Sequence, residues 1–232
     1  MKSAVRKRIR PGRALLLALA GVLVVSFVAA LALRFADPPF TAVMIFEPGS
    51  VAQIEHEWVS PELISVHAAR AVIAAEDQRF LDHHGLDFNQ ISSAVEHWQR
   101  GGDLRGASTI TQQVAKNVFL WNGRSFVRKG LDAWLAIVID AVVPKNRILE
   151  IYLNVAEFDT GVFGIEAAAR HYFGRSASEL SLSQAAALSA VLPAPKRLRA
   201  QPPSDYVQAR AQEIIEQVGL LESRGHYRGL VW

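Results

Sequence analysis

The sequence contains no cysteine and only two methionines among its 232 residues. Without cysteine, the chain can form neither a disulfide framework nor a thiolate zinc site, and the redox state of its compartment stays open. Half of the residues are hydrophobic and 20% are charged, which is typical of a folded domain and argues against a disordered chain. The length accommodates one globular domain of ordinary size together with a short additional segment.

Acidic side chains are missing from the first 34 residues, although this stretch holds seven of the 25 basic residues. The rest of the chain therefore carries 18 basic and 22 acidic side chains, a formal charge of about −4. The overall charge of +3 thus comes from the N-terminal segment. Such a distribution gives no indication of a nucleic-acid partner, and we expect none.

Residues 14–33 form an uncharged run of 20 residues, ALLLALAGVLVVSFVAALAL, close to the ~20 residues that a helix needs to cross a hydrocarbon core. We predict a basic cytoplasmic tail at 1–13 and a single transmembrane helix at 14–34, with all later residues outside the cytoplasm by the positive-inside rule. A cleaved signal peptide is the alternative, because Ala30-Leu31-Ala32 resembles a cleavage site. The run exceeds the roughly 7–15 apolar residues of most signal peptides, which favours a retained anchor.

The remaining chain is predicted to be mainly α-helical. Asp-Pro-Pro at 37–39 interrupts the first helix and lies in a predicted linker at 35–60, where residues 41–48 are expected to form one short strand. A globular domain follows at 61–232, and its first helix is expected to begin at Pro61. Apolar periodicity and Gly or Pro punctuation predict further helices at 89–100, 108–119, 126–143, 146–156, 165–173, 181–192 and 204–221.

Glu76 stands at the end of the first helix of this domain. Partial desolvation there would raise the pKa of its carboxyl and suit the group to proton transfer near neutral pH. Solvation of the helix end, or an ion pair with Arg79, is the alternative. His83, His84 and Asp87 follow in a polar turn and could bind a metal, although adjacent histidines more often position a loop through hydrogen bonds.

The segment GASTITQQVAKN combines a flexible glycine with a predicted helix start. Ser108 or Thr109 is expected to cap this helix, and Thr109-x-x-Gln112 has the spacing of a capping box. Gln112, Gln113 and Lys116 would share one helix face. Two amides and an ammonium on one face suit sugar hydroxyls and a phosphate, whereas a solvated polar face is the alternative.

Two further cations, Arg128 and Lys129, precede a long apolar helix. Together with Lys116 they could hold a pyrophosphate leaving group, although basic residues at such places are often interfacial anchors. Asp132 adds a carboxylate on the same side. Its alternative role is an ion pair with Arg128 or Lys129, worth only a few tenths of a kcal/mol (roughly 0.2–0.5) on an exposed helix.

Large apolar residues surround the Asn-Gly turn between these two segments. They are expected either to form a lip that dips into lipid or to pack in the core, and they are Phe119, Leu120, Trp121 and Phe126. The following block is mainly scaffold by its helical periodicity. Glu150 and Glu157 in that block are additional candidate acids, with solvation or ion pairing as the alternative.

Five segments, taken in order, resemble the motifs of the peptidoglycan glycosyltransferases, a family that includes the transferase modules of class A penicillin-binding proteins and the monofunctional transglycosylases. They are EDQRFLDHHGLD, GASTITQQVAKN, RKGLD, KNRILEIYLNVAEFDTGVFGIEAAARHYFG and LSLSQAAALSAVLPAP. The resemblance covers roughly residues 70–195. Five long motifs in one order make it far more specific than any single short pattern.

The resemblance implies a lysozyme-like, mainly α fold with a globular head, a smaller membrane-associated jaw and a groove between them. It also implies a reaction, in which the GlcNAc 4-hydroxyl of lipid II attacks the lipid-linked growing chain and undecaprenyl pyrophosphate leaves with inversion. The implied partners are lipid II, the lipid-linked glycan chain and membrane lipid, with cell-wall synthesis or division proteins as further candidates. The implied location is a bacterial inner membrane, with the catalytic domain in the periplasm.

Site residues follow from the same resemblance. Glu76 matches the general base, and Asp132 stands where the family has a second carboxylate, a glutamate, so its reach is one methylene shorter. Substrate-binding roles carry over to Asp77, Phe80, His83, Ser108, Thr109, Gln112, Gln113, Lys116, Asn117, Arg128 and Lys129. No cofactor is required, and a divalent cation, Mg or Mn, at the pyrophosphate is left open.

Two other functions remain as alternatives. A lysozyme-like hydrolase would also use carboxylates in a helical groove, but it would need the three cations less because its leaving group carries no pyrophosphate. A non-catalytic membrane-anchored scaffold would not depend on Glu76. Because the sequence has no S-x-x-K motif followed by K-T-G and ends soon after the transferase motifs, we expect no transpeptidase activity.

Overall fold

The computed structural model describes residues 11–46, 54–102, 106, 108–121, 123, 125–230 and 232. Within these residues the chain is mainly helical and has one small sheet, which confirms the predicted class. The α-helices are α1 (Pro11–Ala32), α2 (Ala42–Ile45), α3 (Val66–Glu76), α4 (Phe88–Gln99), α5 (Ile110–Phe119), α6 (Phe126–Val142), α7 (Lys145–Val155), α8 (Ile165–Phe173), α9 (Leu182–Val191) and α10 (Asp205–Ser223). The strands are β1 (Glu55–His56), β2 (Glu157–Asp159) and β3 (Val162–Phe163).

Helix α1 packs along α6 and is held at its C-terminal end by α7. The Trp134 indole Nε1 donates to the Ser26 hydroxyl at 3.2 Å, and Arg147 Nε donates to the Leu33 carbonyl at 2.9 Å. Arg147 also pairs with Asp37 at 2.6 Å. In the part of the chain that the structure describes, no helix combines the length and the apolar character needed to cross a membrane. Most of the predicted basic tail, residues 1–10, lies outside the described residues.

The strand predicted at 41–48 is wrong, because residues 42–45 form the helical turn α2. Thr41 caps this turn, and its side-chain oxygen accepts from the Met44 backbone N–H at 3.3 Å. Val43 and Met44 are both buried, in contact with Phe163. A strand would turn two consecutive side chains to opposite faces, whereas a helical turn brings both against the same surface. The last two residues of the predicted strand lie outside the described residues.

A three-stranded sheet joins part of the predicted linker to the domain. Its order is β1-β3-β2, with β1 parallel and β2 antiparallel to β3. Glu55 is paired with Val162 across the parallel ladder, so residues 55–56 belong to the domain rather than to a linker. The strands are two or three residues long, too short to produce the alternating pattern from which a strand is recognised.

The first helix of the domain begins later than predicted. Residues 61–63 form a single 3-10 turn, and α3 begins only at Val66. Ser65 explains the position, because its hydroxyl accepts from the His67 N–H at 3.3 Å and donates to the Leu180 carbonyl at 2.9 Å. The helix ends at Glu76, as the sequence predicts.

Helix α7 forms the centre of the core. Five of its apolar side chains have no exposed surface: Ile148, Leu149, Ile151, Leu153 and Val155. Helix α5 packs against α6 on one side and α7 on the other, while α3 packs against α9 and α10. The C-terminal end of α3 therefore meets α5 at the boundary between these two groups of helices.

Asn154, near the end of α7, acts as a buried backbone clamp. Its amide oxygen accepts from the Val59 N–H at 2.9 Å, and its amide nitrogen donates to the Val59 carbonyl at 3.0 Å and to the Glu150 carbonyl at 2.9 Å. The side chain thus replaces a strand partner for Val59, whose backbone groups would otherwise be buried without hydrogen bonds.

We therefore expect Asn154→Ala to lower the free energy of unfolding by about 2–4 kcal/mol, because it leaves the buried backbone N–H and carbonyl of Val59 without hydrogen-bond partners. Urea unfolding followed by circular dichroism measures the change. Gln212→Ala, at an exposed position of α10, is the matched control and should stay within about 0.5 kcal/mol of the wild type. Equal stability of the two variants would contradict the clamp.

Candidate active site

Glu76, the last residue of α3, lies beside α5. The Gln113 amide Nε2 donates to Glu76 Oε2 at 2.7 Å. Burial raises the pKa of the Glu76 carboxyl, and the hydrogen bond from Gln113 and the positive charge of Arg210 oppose this shift in part. The predicted ion pair with Arg79 does not form, because Arg79 pairs with Asp87 at 3.2 Å instead. Glu76 is thus a desolvated carboxylate rather than a solvated helix end.

Asp77 joins the end of α3 to the start of α5. Its side chain is 1% exposed and accepts from the Ile110 backbone N–H at 3.0 Å. His83 Nε2 also contacts both carboxylate oxygens, at 2.9 and 3.0 Å. Phe80 is fully buried beneath the Lys145 ammonium, which lies 4.7 Å from the ring centroid. These three residues face protein groups, and their predicted contact with substrate stays a prediction.

The N-terminus of α5 carries the predicted capping box. Thr109 Oγ1 accepts from the Gln112 N–H at 3.1 Å, and Gln112 Oε1 accepts from the Thr109 N–H at 3.0 Å. Thr109 also donates to the Gly85 carbonyl at 2.6 Å. Gln112 is therefore buried and takes part in the cap, and its predicted contact with substrate stays a prediction.

A groove of about 470 Å³ runs beside α5; we call it the Lys116 groove. Its polar lining consists of Gln113, Lys116, Asn117, Tyr152, Glu157, Lys196 and Arg197. Burial and the neighbouring Arg128 charge lower the pKa of the Lys116 ammonium, while Asp132 and Glu157 oppose the shift. The groove thus offers several cations and amide groups to a ligand that carries both negative charge and hydroxyls.

A second cationic group begins α6. Lys129 Nζ donates to the Ser108 hydroxyl at 2.8 Å, and Arg128 Nη1 reaches the two carboxylate oxygens of Asp132 at 3.0 and 3.3 Å. This ion pair is the alternative considered for Asp132, but it is buried rather than exposed, since Asp132 is 3% exposed. Burial raises the pKa of Asp132, and the Arg128 and Lys129 charges oppose the change. Arg128 Nε is buried and has no hydrogen-bond partner among the described residues.

The remaining candidates separate into structural and surface roles. Glu150 pairs with Arg147 at 2.8 Å, away from the groove. Asp87 caps α4 by accepting from two backbone N–H groups, at 3.0 and 3.1 Å. His84 lies 3.5 Å from Asp140, and the described residues contain no group of three or more side chains suited to a metal ion. The predicted metal interpretation for this turn therefore has no support from its geometry.

The apolar residues around the connection between α5 and α6 divide between the core and the surface. Leu120 is buried in the core, whereas Trp121 is 45% exposed and Phe126 is 98% exposed. Asn122, the first residue of the predicted Asn-Gly turn, lies outside the described residues. Phe126 thus leaves a large apolar side chain exposed, two and three residues before Arg128 and Lys129.

These features define a class of site. A desolvated carboxylate can accept a proton from a hydroxyl, and buried cations can stabilise negative charge that develops on a leaving group. Amide groups between them suit sugar hydroxyls. The arrangement is that of a group-transfer enzyme acting on a phosphorylated carbohydrate.

The chain belongs to the transglycosylase family, whose family model matches residues 45–219, and it is a glycosyltransferase. It is 47% identical over 225 residues to a biosynthetic peptidoglycan transglycosylase of Aeromonas hydrophila, which covers 95% of each chain. The protein of the same name from Pseudomonas fluorescens is 48% identical, and the match covers 90% of this chain and 88% of that protein. That from Shewanella oneidensis is 46% identical and covers 85% and 87%, respectively.

Sequence reasoning missed four residues near the site. Lys196 and Arg197 line the groove, and their position directly after the Leu-Pro-Ala-Pro segment was an available signal. Tyr152 donates to Gln113 Oε1 at 3.2 Å, although its place on an apolar helical stripe indicated only core packing. Arg210 donates to the Ala75 carbonyl at 3.3 Å from α10, and no local pattern connects these distant segments.

The raised pKa of Glu76 leads to a prediction about stability. A carboxyl whose folded pKa is raised contributes stability below its unfolded pKa of about 4.3 and loses it as the pH rises through the folded pKa. Glu76→Gln should therefore increase the free energy of unfolding at pH 7 by about 0.5–2 kcal/mol. The difference should shrink as the pH approaches 4.

Urea unfolding at the two pH values measures this difference. Glu96→Gln, at an exposed position of α4, is the control and should change stability little at either pH. A Glu76→Gln protein that is less stable than the wild type at pH 7 would contradict the assignment of a desolvated carboxylate.

Proposed function

We propose that this protein polymerises peptidoglycan glycan strands. It transfers the lipid-linked growing chain to the GlcNAc 4-hydroxyl of lipid II and releases undecaprenyl pyrophosphate. The observation that carries the proposal is the desolvated Glu76 carboxylate, linked through Gln113 to a groove that holds the half-buried ammonium of Lys116. The relatives named biosynthetic peptidoglycan transglycosylases support the choice of substrate.

Glu76 acts as the general base in this proposal. Its carboxylate takes the proton of the 4-hydroxyl while the hydroxyl oxygen forms a bond to the anomeric carbon of the growing chain. The bond from that carbon to the pyrophosphate oxygen breaks on the opposite face, so the configuration inverts. A pKa raised by burial makes the carboxylate a stronger base than a solvated glutamate, which favours proton transfer near neutral pH.

The cations stabilise the departing pyrophosphate. Lys116 lies close enough to Arg128 for the two charges to affect each other, and Lys129 follows Arg128 on the first turn of α6. Asp132 holds the Arg128 guanidinium through its buried ion pair, so its role is to orient this cation. The unpartnered Arg128 Nε offers a further donor to a phosphate oxygen.

A divalent cation at the pyrophosphate stays an open proposal. The nearby protein groups fit such an ion poorly, because three cations surround a single carboxylate and that carboxylate already pairs with Arg128. Hard divalent cations prefer several oxygen ligands. We therefore route no step through a metal, and polymerisation with and without a chelator tests its contribution.

The hydrolase alternative fits these contacts less well. Hydrolysis of a glycan strand releases a neutral sugar hydroxyl, which gives no role to the half-buried cations at Lys116 and Arg128. Removing a lysine and an arginine from water, even in part, costs free energy unless a partner compensates it. A scaffold would have no need of a desolvated Glu76 either.

Membrane contact is the second part of the proposal. Among the side chains of α1 that the structure describes, nine large apolar ones are exposed: Leu16, Leu17, Leu19, Val22, Leu23, Val24, Val25, Phe27 and Val28. Phe88, Trp98 and Phe126 are also exposed. We propose that these surfaces contact lipid, because the substrate itself carries a long lipid chain. A single-pass arrangement in a bacterial inner membrane, with the N-terminus in the cytoplasm and the domain in the periplasm, is the finer prediction.

The first experiment supplies purified protein with lipid II and separates the products by size. Wild type should form glycan polymer, and Glu76→Gln should lose at least about 100-fold in rate because general-base catalysis contributes roughly 10²–10⁴-fold. Asp132→Asn should keep the fold and lose less activity than Glu76→Gln. It leaves Arg128 without its charged partner, but it leaves the base in place. Absence of polymer from folded wild type would refute the proposed reaction.

Two controls separate the alternatives. Glu150→Gln removes a partly buried carboxylate outside the groove and should polymerise at the wild-type rate. Purified glycan strands offered without lipid II should stay intact. Their cleavage would favour the hydrolase, and polymerisation unaffected by Glu76→Gln would reject that residue as the base.

The second experiment uses the absence of cysteine to test topology. Single substitutions Ser3→Cys and Glu213→Cys each create one thiol, and a membrane-impermeant maleimide is added to intact spheroplasts. We expect labelling at position 213 at once and at position 3 only after permeabilisation, because the positive-inside rule retains the basic tail in the cytoplasm. Equal labelling at both positions in intact cells would reject the arrangement.

A further inference from the structure

The Glu76 carboxylate is held by an amide whose own orientation is set from a third helix. Gln113 Nε2 donates to Glu76 Oε2 at 2.7 Å, and Gln113 Oε1 accepts from the Tyr152 hydroxyl at 3.2 Å. The chain of contacts therefore runs from α7 through α5 to the end of α3. Tyr152 is 1% exposed, so water does not compete for its hydroxyl.

The two contacts determine which way the Gln113 amide faces. An ionised carboxylate can only accept hydrogen bonds, so the amide must present its NH₂ group to Glu76 and its oxygen to Tyr152. The phenol must then donate, which requires that it stay protonated. Burial raises the pKa of Tyr152 well above its usual value, and the negative charges of Glu76 and Asp77 act in the same direction.

From these contacts we propose that Tyr152 is a positioning residue of the transfer reaction: its hydroxyl fixes the Gln113 amide, which in turn holds Glu76 Oε2 and leaves Oε1 for the acceptor hydroxyl. The inference rests on the proposed function, since it assigns a device that prepares the base of that reaction. An amide free to rotate would present its oxygen to the carboxylate part of the time. The base would then be misaligned and its ionised form disfavoured.

Other charges also face Glu76 and must be kept constant in any test. Arg210 approaches from α10, Lys116 lies one turn beyond Gln113 on α5, and Asp77 is the next residue in the chain. Arg210 and Lys116 favour the ionised carboxylate, whereas Asp77 disfavours it. Tyr152→Phe changes none of these charges and retains the ring that packs in the core.

The test compares wild type, Tyr152→Phe, Gln113→Ala and the double variant in lipid II polymerisation across pH. Tyr152→Phe should lower kcat about tenfold with little change in KM, and the ascending limb of the pH profile should move upward by about half to one unit. In the Gln113→Ala background the same substitution should have less than about a twofold effect, because the two groups act in series.

Tyr227→Phe is the matched control. Its hydroxyl donates to the Arg70 carbonyl at 3.2 Å and is also largely buried, but it lies away from Glu76. This variant should keep the wild-type kcat and pH profile. A kcat loss in Tyr227→Phe as large as in Tyr152→Phe would mean that removing any buried hydroxyl disturbs the domain, and the proposal would be wrong.

A measurement without substrate separates this inference from the proposed function. Carbon-13 NMR titration of the Glu76 carboxyl should give a higher pKa in Tyr152→Phe than in wild type, whether or not lipid II is the substrate. An unchanged Glu76 titration, equal losses from Tyr152→Phe in both backgrounds, or a rise in KM alone would each overturn the positioning role. If the Glu76 pKa differs as expected between Tyr152→Phe and wild type but wild type forms no polymer, the positioning role stands and the proposed reaction is rejected.

Discussion

The buried carboxylate of Asp77 is the interaction on which the site depends. Asp77 directly follows the last residue of α3, and its carboxylate accepts the first backbone N–H of α5. Both carboxylate oxygens also contact His83 Nε2. A charged acceptor that is fully desolvated must keep these donors, since losing one leaves a buried charge without compensation. The end of α3 and the start of α5 are thereby fixed to each other. This also fixes the relative positions of Glu76, at the end of α3, and Gln113, in the first turn of α5.

The electrostatics of the site are a balance between burial and opposite charge. Burial raises the pKa values of Glu76 and Asp132 and lowers that of Lys116, so each group is held away from its solution behaviour. Arg128 and Asp132 moderate one another through their ion pair. Perturbed groups of both signs that lie close enough to affect one another are a feature of catalytic sites rather than of surface patches. Burial of these groups does not favour stability, and the opposite charges beside them offset part of its free-energy cost.

Local sequence patterns predicted most helices because their signals are short in range. The apolar periodicity of α6 and α7, the capping box from Thr109 to Gln112 and the end of α3 at Glu76 all depend on neighbours within one or two turns. The prediction failed where a distant partner decided the outcome. Residues 42–45 became helical against Phe163, and β1 exists only through its pairing with β3.

The sequence by itself determined the family and the position of Glu76, the proposed base, because five ordered motifs and a carboxylate at a helix end are properties of the chain order. Only the tertiary structure decided which motif residues face the groove and which hold it together. Asp77 and His83 belong to the second group, and Tyr152 reaches the base from α7. These roles depend on distances between segments far apart in the chain, which side-chain burial and hydrogen-bond pairing fix after folding.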